Sequence, residues 1–239
     1  MANALVLVGH GSSKNRNTRV PLDNIVSEIR KRKLYDEVCC GFLKEDQRIC
    51  KVLAPLQSHK ITVVPFFIAD GYYTKNIIPS CLQKNQKSAP HQVYYTPAVG
   101  SHPLFADLIL KHAKDAGWRK GDSLVVMGHG TQKNPASGRN IYLQADRIRR
   151  KYPREEIMTT FIDEAPFVTD AWTLCRGQRI VIVPLFIGDG WHVTETIPED
   201  LGLTNGQAFK GSRSMVMTSA VGTDPGLVDV VLSLAALAP

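Results

Sequence analysis

The chain of 239 residues is long enough for one or two domains with a substantial core. Its 44% hydrophobic and 21% charged content is that of an ordinary globular protein, and its longest apolar runs, such as ALVLVG and IVIVPLFIG, fall far short of the roughly 20 residues a membrane helix needs. A formal net charge of +7 invites a nucleic-acid reading, but the basic residues are scattered and never interleaved with aromatics, so no nucleic-acid partner is expected and an acidic small molecule fits equally well.

No basic segment precedes the first apolar run, so the N-terminus does not read as a signal peptide and a cytoplasmic location is expected. Leu5 to Val8 is a short, continuously apolar run that predicts a buried strand, ending at Gly9-His10-Gly11. A polar loop with Lys14, Arg16 and Arg19 leads to LDNIVSEIRKRKL, where Leu22, Val26 and Ile29 fall on one side of a helix. GFLKED follows at 41, with Glu45, and then ITVVPFFIADGYYTKNIIP runs from a strand into a loop carrying Tyr73. HPLFADLILKHAK closes this stretch with a helix. The order then restarts. Leu124 to Met127 ends at Gly128-His129-Gly130, the next loop carries Lys133 and Arg139, and IYLQADRIRRKY places Ile141, Ala145 and Ile148 on one helix side. The strand IMTTFI precedes Glu164, IVIVPLFIGDGWHVTETIP runs into His192, and DPGLVDVVLSLAAL is a final helix.

The chain is therefore written twice. LVLVGHGSSKN matches LVVMGHGTQKN, GFLKED matches TFIDEA, and the two strand-to-loop segments share nine identities in nineteen positions, all at an offset of 119 residues. TPAVGSHP at 96 and TSAVGTDP at 218 also match, with a shift of three. A constant offset means shared element lengths, which is duplication; two repeats are too few for a solenoid and predict two lobes, residues 1–119 and 120–239, the second carrying a metal site. Strands buried on both faces and separated by helices predict a parallel α/β sheet flanked by helices in each lobe.

In such sheets ligands bind beyond the carboxyl ends of the strands, where His10, His129, His192 and Glu164 all fall. Each alone has an ordinary explanation: a histidine in a tight turn bonds a neighbouring carbonyl, His192 caps a helix starting near Thr194, and Glu164 is a solvated acid. Together, two imidazoles and a carboxylate are a common open ligand set for a divalent first-row metal, His129, His192 and Glu164 being the candidates. The equivalent positions of the first half are His10, Glu45 and Tyr73, and neutral tyrosine is a much poorer ligand. Nitrogen and oxygen donors with an open position can bind a metal and pass it on, and they also accept protons. Five cysteines (Cys39, Cys40, Cys50, Cys81, Cys175) form no CxxC pair and read as reduced, mostly buried thiols.

LVLVGHGS, the glutamate after a strand and PLFIGDGWHVTETIP resemble the class II tetrapyrrole chelatases, specifically the CbiX-type sirohydrochlorin chelatases in their fused, two-repeat form. The resemblance runs through nearly the whole chain, once per half. It implies two flavodoxin-like lobes with a tetrapyrrole bound between them, no permanently bound cofactor, and insertion of Co(II), or in relatives Fe(II) or Ni(II), into sirohydrochlorin with release of two protons. It makes His129 and His192 metal ligands, Glu164 a ligand or proton acceptor, and His129 the leading acceptor of a pyrrole proton, with His10 and Tyr73 on the substrate side. Such a chain is expected to act as a monomer, an oligomer being the alternative, and its C-terminus lacks the cysteines for an iron–sulfur cluster.

Residues 1–119 hold 17 Lys and Arg against 9 Asp and Glu, and residues 120–239 hold 12 against 13. A basic first lobe would neutralise a carboxylate-rich macrocycle, with Lys14, Arg16, Arg19, Lys133 and Arg139 as candidate contacts or else plain surface charges. A histidine-phosphatase reading fails because glycine, not arginine, precedes both loop histidines, and GHGSSK lacks the third glycine of a dinucleotide loop. A non-catalytic tetrapyrrole or metal carrier stays open, as does the branch served, cobalamin or sirohaem.

Overall fold

The computed structural model describes residues 2–12, 16–44, 49–86, 91–131 and 138–238. Contacts group the chain into two compact units, residues 1–102 with 225–239 and residues 103–224.

In the first unit the strands are β1 (Asn3–Gly9), β2 (Glu37–Phe42), β3 (Lys60–Pro65) and β4 (Gln92–Tyr95), and the helices between them are α1 (Val20–Arg32), α2 (Ile49–Leu53) and α3 (Ile78–Gln86). All strand pairs are parallel, in the order β2-β1-β3-β4. The apolar run becomes the inner strand: Ala4 to Val8 are completely buried, as a strand covered on both faces must be. Helix α1 starts with proline in its first turn and buries Leu22, Ile25, Val26 and Ile29, the predicted stripe plus one neighbour. A Lys33 at φ 52° ends it.

In the second unit, helix α4 (Leu104–Asp115) precedes β5 (Ser123–Gly128), α5 (Arg139–Lys151), β6 (Glu156–Phe161), α6 (Ala171–Leu174), β7 (Arg179–Pro184), α7 (Ile197–Leu201), β8 (Gln207–Lys210) and β9 (Arg213–Met217). The sheet order is β6-β5-β7-β9-β8. It repeats the first sheet strand for strand, with one departure from the all-parallel expectation: β8 lies antiparallel to β9 at the edge. Gly202, at φ 66°, stops α7 after five residues, and the chain released there forms β8 and a tight turn at Gly211 before β9. The three additional residues that shift the last repeat block fall in this span.

The last helix α8 (Leu227–Ala236) belongs to the first unit, while α4, which follows β4 in sequence, belongs to the second. Each is fastened within its unit. Ser233 of α8 meets His102 Nε2 at 3.2 Å, and the buried Asp224 accepts from Lys111 Nζ at 2.7 Å and His112 Nε2 at 3.0 Å on α4. His102 and Asp224 are matching positions of the TPAVGSHP and TSAVGTDP blocks, so one repeat position anchors α8 in the first unit and α4 in the second.

The thiols are less sequestered than expected. Only Cys175 is fully buried, while Cys39, Cys40 and Cys81 are half-buried and the Cys50 side chain lies outside the described residues. The described four form no disulfide. Burial pushes Cys39 and Cys175 up to about 11, and burial with the neighbouring Asp23 pushes Cys40 up to about 12, which keeps them protonated and poor as metal ligands.

Candidate metal-handling site

In both sheets the chain leaves the central strand toward one side and returns on the other, so the loops after β1 and β3, and after β5 and β7, part at the carboxyl edge. This is the place where open α/β sheets bind ligands. Both Gly-His-Gly loops and both DG loops lie there.

In the second unit, the His129 and His192 rings stand edge to face with centroids 5.2 Å apart and planes at 88°. Phe186 packs against His129 at 6.3 Å. His129 Nδ1 lies 3.1 Å from the Gly130 carbonyl, which can only accept, so Nδ1 donates and the neutral ring keeps its Nε2 lone pair for a metal or a proton. Asp163 Oδ2 lies 3.3 Å from the same Nδ1. The His129 side chain is 49% exposed, so the ring is not sealed from solvent.

Gly130 takes φ +72°, and a Cβ there would lie 2.7 Å from Glu164 Cγ. Only glycine serves both requirements, which explains the second glycine of the motif. The half-buried Glu164 thus occupies a slot beside the His129 loop, with Oε1 3.0 Å from where a Cβ on Gly130 or Gly138 would be. Gly138 is the N-cap of α5, whose amino end attracts a carboxylate. The structure therefore brings the two imidazoles together and sets the acid behind their loop. Among the described residues no three His, Cys, Asp or Glu side chains are close enough to hold one ion as they stand.

His192 begins a single π-helical turn, His192–Thr196, ahead of α7, and Tyr73 begins the matching turn, Tyr73–Ile77, ahead of α3. Such turns are uncommon and cluster at functional sites. The first unit reproduces the ring geometry: His10 and Tyr73 are 4.9 Å apart at 88°, Phe67 lies 6.5 Å from His10, and His10 Nδ1 is 3.0 Å from the Gly11 carbonyl. Tyr73 thus fills the station of His192 with a phenol. Its turn is braced by Tyr95, whose hydroxyl donates to the Thr74 carbonyl at 2.6 Å; burial, helped by Asp70, raises the Tyr95 pKa and keeps it a donor.

Of the candidate substrate contacts, Arg139 is exposed at the first position of α5. Arg19 is engaged locally, with Nε 2.7 Å from Asp23 and its guanidinium 5.0 Å over the Phe42 ring. Lys14, Lys133, Glu45 and the Arg16 side chain lie outside the described residues.

Sequence reasoning overlooked the support of the loops. Asp70 Oδ1 accepts from the Ala98 amide at 3.1 Å and Asp189 Oδ1 from the Ala220 amide at 2.7 Å. Gly100 and Gly222 donate to the Phe67 and Phe186 carbonyls at 3.0 and 2.8 Å, and a Cβ on either would collide with the backbone of Ile68 or Ile187. The repeated DG and AVG pieces carried this signal, because each is half of one buttress. Asp163 carried none, since its repeat partner is Lys44.

The CbiX family model matches the chain twice, over residues 4–116 and 123–236. A probable sirohydrochlorin cobaltochelatase of Halobacterium salinarum is 36% identical over 98% of this chain and 90% of its own length. A sirohydrochlorin cobaltochelatase of Methanococcus aeolicus is 36% identical over 33% of this chain and 57% of that protein. Two solved structures share the fold. DR2241 of Deinococcus radiodurans, a multi-domain protein with structural similarity to chelatases, matches with a TM-score of 0.82 and 24% identity over 98% of this chain and 55% of its own. SirB of Bacillus subtilis, solved with Fe3+, matches with a TM-score of 0.80 and 17% identity over 99% of this chain and 95% of its own.

Proposed function

The chain belongs to the CbiX family, and from that membership we propose that it is a sirohydrochlorin cobaltochelatase whose metal is handled by the second unit. The observation that carries the reading is the His129–His192 pair, two imidazoles at a sheet switch point, one with its Nδ1 committed to a carbonyl.

The reaction exchanges two pyrrole N–H bonds for bonds to Co(II), with two protons released and no electron transferred. The residues must therefore deliver a divalent ion and accept protons. His129 and His192 are the proposed ligands, and imidazole suits Co(II) and releases it more readily than thiolate would. Glu164 is the proposed third ligand or proton acceptor, reached by rotation of its side chain out of the Gly130 and Gly138 slot. His129 takes a pyrrole proton once its Nε2 is free of metal, and the Asp163 carboxylate beside Nδ1 stabilises the resulting imidazolium. His10 and Tyr73, with Lys14, Arg16, Arg19, Lys133 and Arg139, are assigned to substrate contact, the cations toward carboxylates.

Purified protein mixed with sirohydrochlorin and Co(II) tests this by the change in tetrapyrrole absorbance. Insertion faster than the spontaneous rate, lost in His192→Ala and kept in His10→Ala at saturating sirohydrochlorin, where only KM rises, is the expected result. Equal loss in both variants would overturn the assignment to the second unit, and no acceleration in the wild type would overturn the enzyme in favour of a carrier. The same assay with Fe(II) and Ni(II) in competition ranks the metals.

A further inference from the structure

Trp191 directly precedes the ligand candidate His192, and its side chain is unusually open: the residue is 72% exposed, the most exposed of the large aromatics apart from Phe209. The chain has three tryptophans, and the other two are fully or partly buried. Isolated exposed apolar side chains need no explanation, but this one has three features that do. Its backbone is not on a loose loop: Asp189 is bonded to the Ala220 amide two residues before it, and Val193 and Thr194 donate to the Gly190 carbonyl at 2.8 and 3.1 Å just after it. Among the described residues no ring packs against the indole. The same station in the first unit, Tyr72, is also a large aromatic and is 66% exposed, one residue before Tyr73. A rigidly mounted, exposed flat ring one residue before the metal-handling imidazole is what a flat conjugated ligand requires, and the duplicate keeps an exposed aromatic at that station, although Tyr72 there packs edge-on against Tyr73 at 5.9 Å.

Resting on the chelatase reading above, we propose that Trp191 is a substrate-positioning residue whose indole packs on the face of the tetrapyrrole and holds its central nitrogens at the His192 side of the site. Indole and macrocycle are both broad, apolar and polarisable, so their contact removes apolar area from water and adds stacking. Aromatic stacking on a flat heterocyclic base contributes on the order of a fivefold to 150-fold change in affinity.

The test compares wild type, Trp191→Phe and Trp191→Ala, all exposed substitutions that leave the core alone. Equilibrium binding of metal-free sirohydrochlorin is followed by its own absorbance, cobalt binding is measured separately without tetrapyrrole, and steady-state insertion gives KM and kcat. Trp191→Ala is expected to raise the sirohydrochlorin Kd and KM about tenfold, with cobalt affinity unchanged, and Trp191→Phe to recover most of the loss. Unchanged sirohydrochlorin affinity in Trp191→Ala, or a loss of cobalt affinity in equal measure, would overturn the proposal while the chelatase reading stands. Wild-type protein that accelerates insertion of no metal and binds no sirohydrochlorin would overturn both.

Discussion

His129 meets His192 at 5.2 Å and 88°, and His10 meets Tyr73 at 4.9 Å and 88°, so duplication has kept one ring-pair geometry and changed one ring. The consequence is an expected division of labour that does not depend on any difference in backbone. An imidazole pair supplies two metal-binding nitrogens, and an imidazole–phenol pair supplies one.

His192→Tyr should therefore convert the second pair into the first. Cobalt affinity, measured by equilibrium dialysis or calorimetry, should fall by on the order of 100-fold or more, as loss of a ligand exceeds the 10- to 100-fold typical of losing a supporting residue. Tyr73→His should do the reverse and raise the cobalt stoichiometry from one to two per chain. An unchanged stoichiometry would mean that the ring pair alone does not define the site.

Asp163 should matter through His129. A carboxylate behind a ligating imidazole fixes the ring and strengthens the other nitrogen as a donor, and its removal commonly costs 10- to 100-fold in metal affinity. At 3.3 Å, and sharing Nδ1 with the Gly130 carbonyl, Asp163 belongs at the low end. Asp163→Asn should weaken cobalt binding about tenfold with the fold intact by circular dichroism, and Asp163→Glu should recover part of it. Wild-type affinity in Asp163→Asn would show that the carbonyl alone orients the ring.

The buttress beneath the His192 loop gives a stability prediction. Gly222→Ala would drive a methyl into the Ile187 backbone, which cannot move aside as a side chain could. A loss of on the order of 3 kcal/mol is expected, or a drop in Tm of roughly 6 to 12 °C in a chain of this size. Asp189→Ala leaves the Ala220 amide without its acceptor and should cost less, about 1 to 2 kcal/mol.

How much of this was legible in the sequence follows from where each piece of information resides. The apolar runs at Leu5 to Val8 and Leu124 to Met127 could be read as inner strands because a strand covered on both faces has no polar alternation to confuse it. His129 and His192 could be placed at one sheet edge because each follows a predicted strand of a parallel sheet, whose carboxyl ends all lie on one side. The position of Glu164 was not legible beyond its loop. Its side chain is directed by two glycines that leave a slot, and the absence of a Cβ has no periodicity to read. The antiparallel β8 was hidden for a similar reason: QAFK is short and mostly exposed, and the Gly202 stop that frees it is a local event. Helices α4 and α8 were predicted as continuing the alternation of strands and helices, but which unit each joins depends on partners such as Asp224 and His102 that lie over a hundred residues away.

The amino ends of the strands, away from the proposed chemistry, offer a prediction about acid. Glu156 is pushed up by burial, but bonds from the Ser123 hydroxyl, the Arg176 amide and side chain and the Gly177 amide outweigh this and leave its pKa below the ordinary 4.5. Its repeat partner Glu37 is lowered chiefly by the Ser58 hydroxyl, against a smaller effect of burial, with help from the Gln57 and Ser58 amides. A carboxylate with a lower pKa in the folded than in the unfolded chain contributes stability above the unfolded value, and the contribution disappears as pH falls through the folded value. Stability should hold from neutral pH down to about 5 and then decline through and below the usual glutamate range. Glu156→Gln keeps an oxygen acceptor but has no proton to take up. Its urea midpoint should be lower than wild type at pH 7, and the gap should narrow between about pH 5 and pH 3, where the wild-type acid loses its charge. Parallel midpoint curves across that window would mean that Glu156 is ionised no more readily in the folded protein than in the unfolded chain.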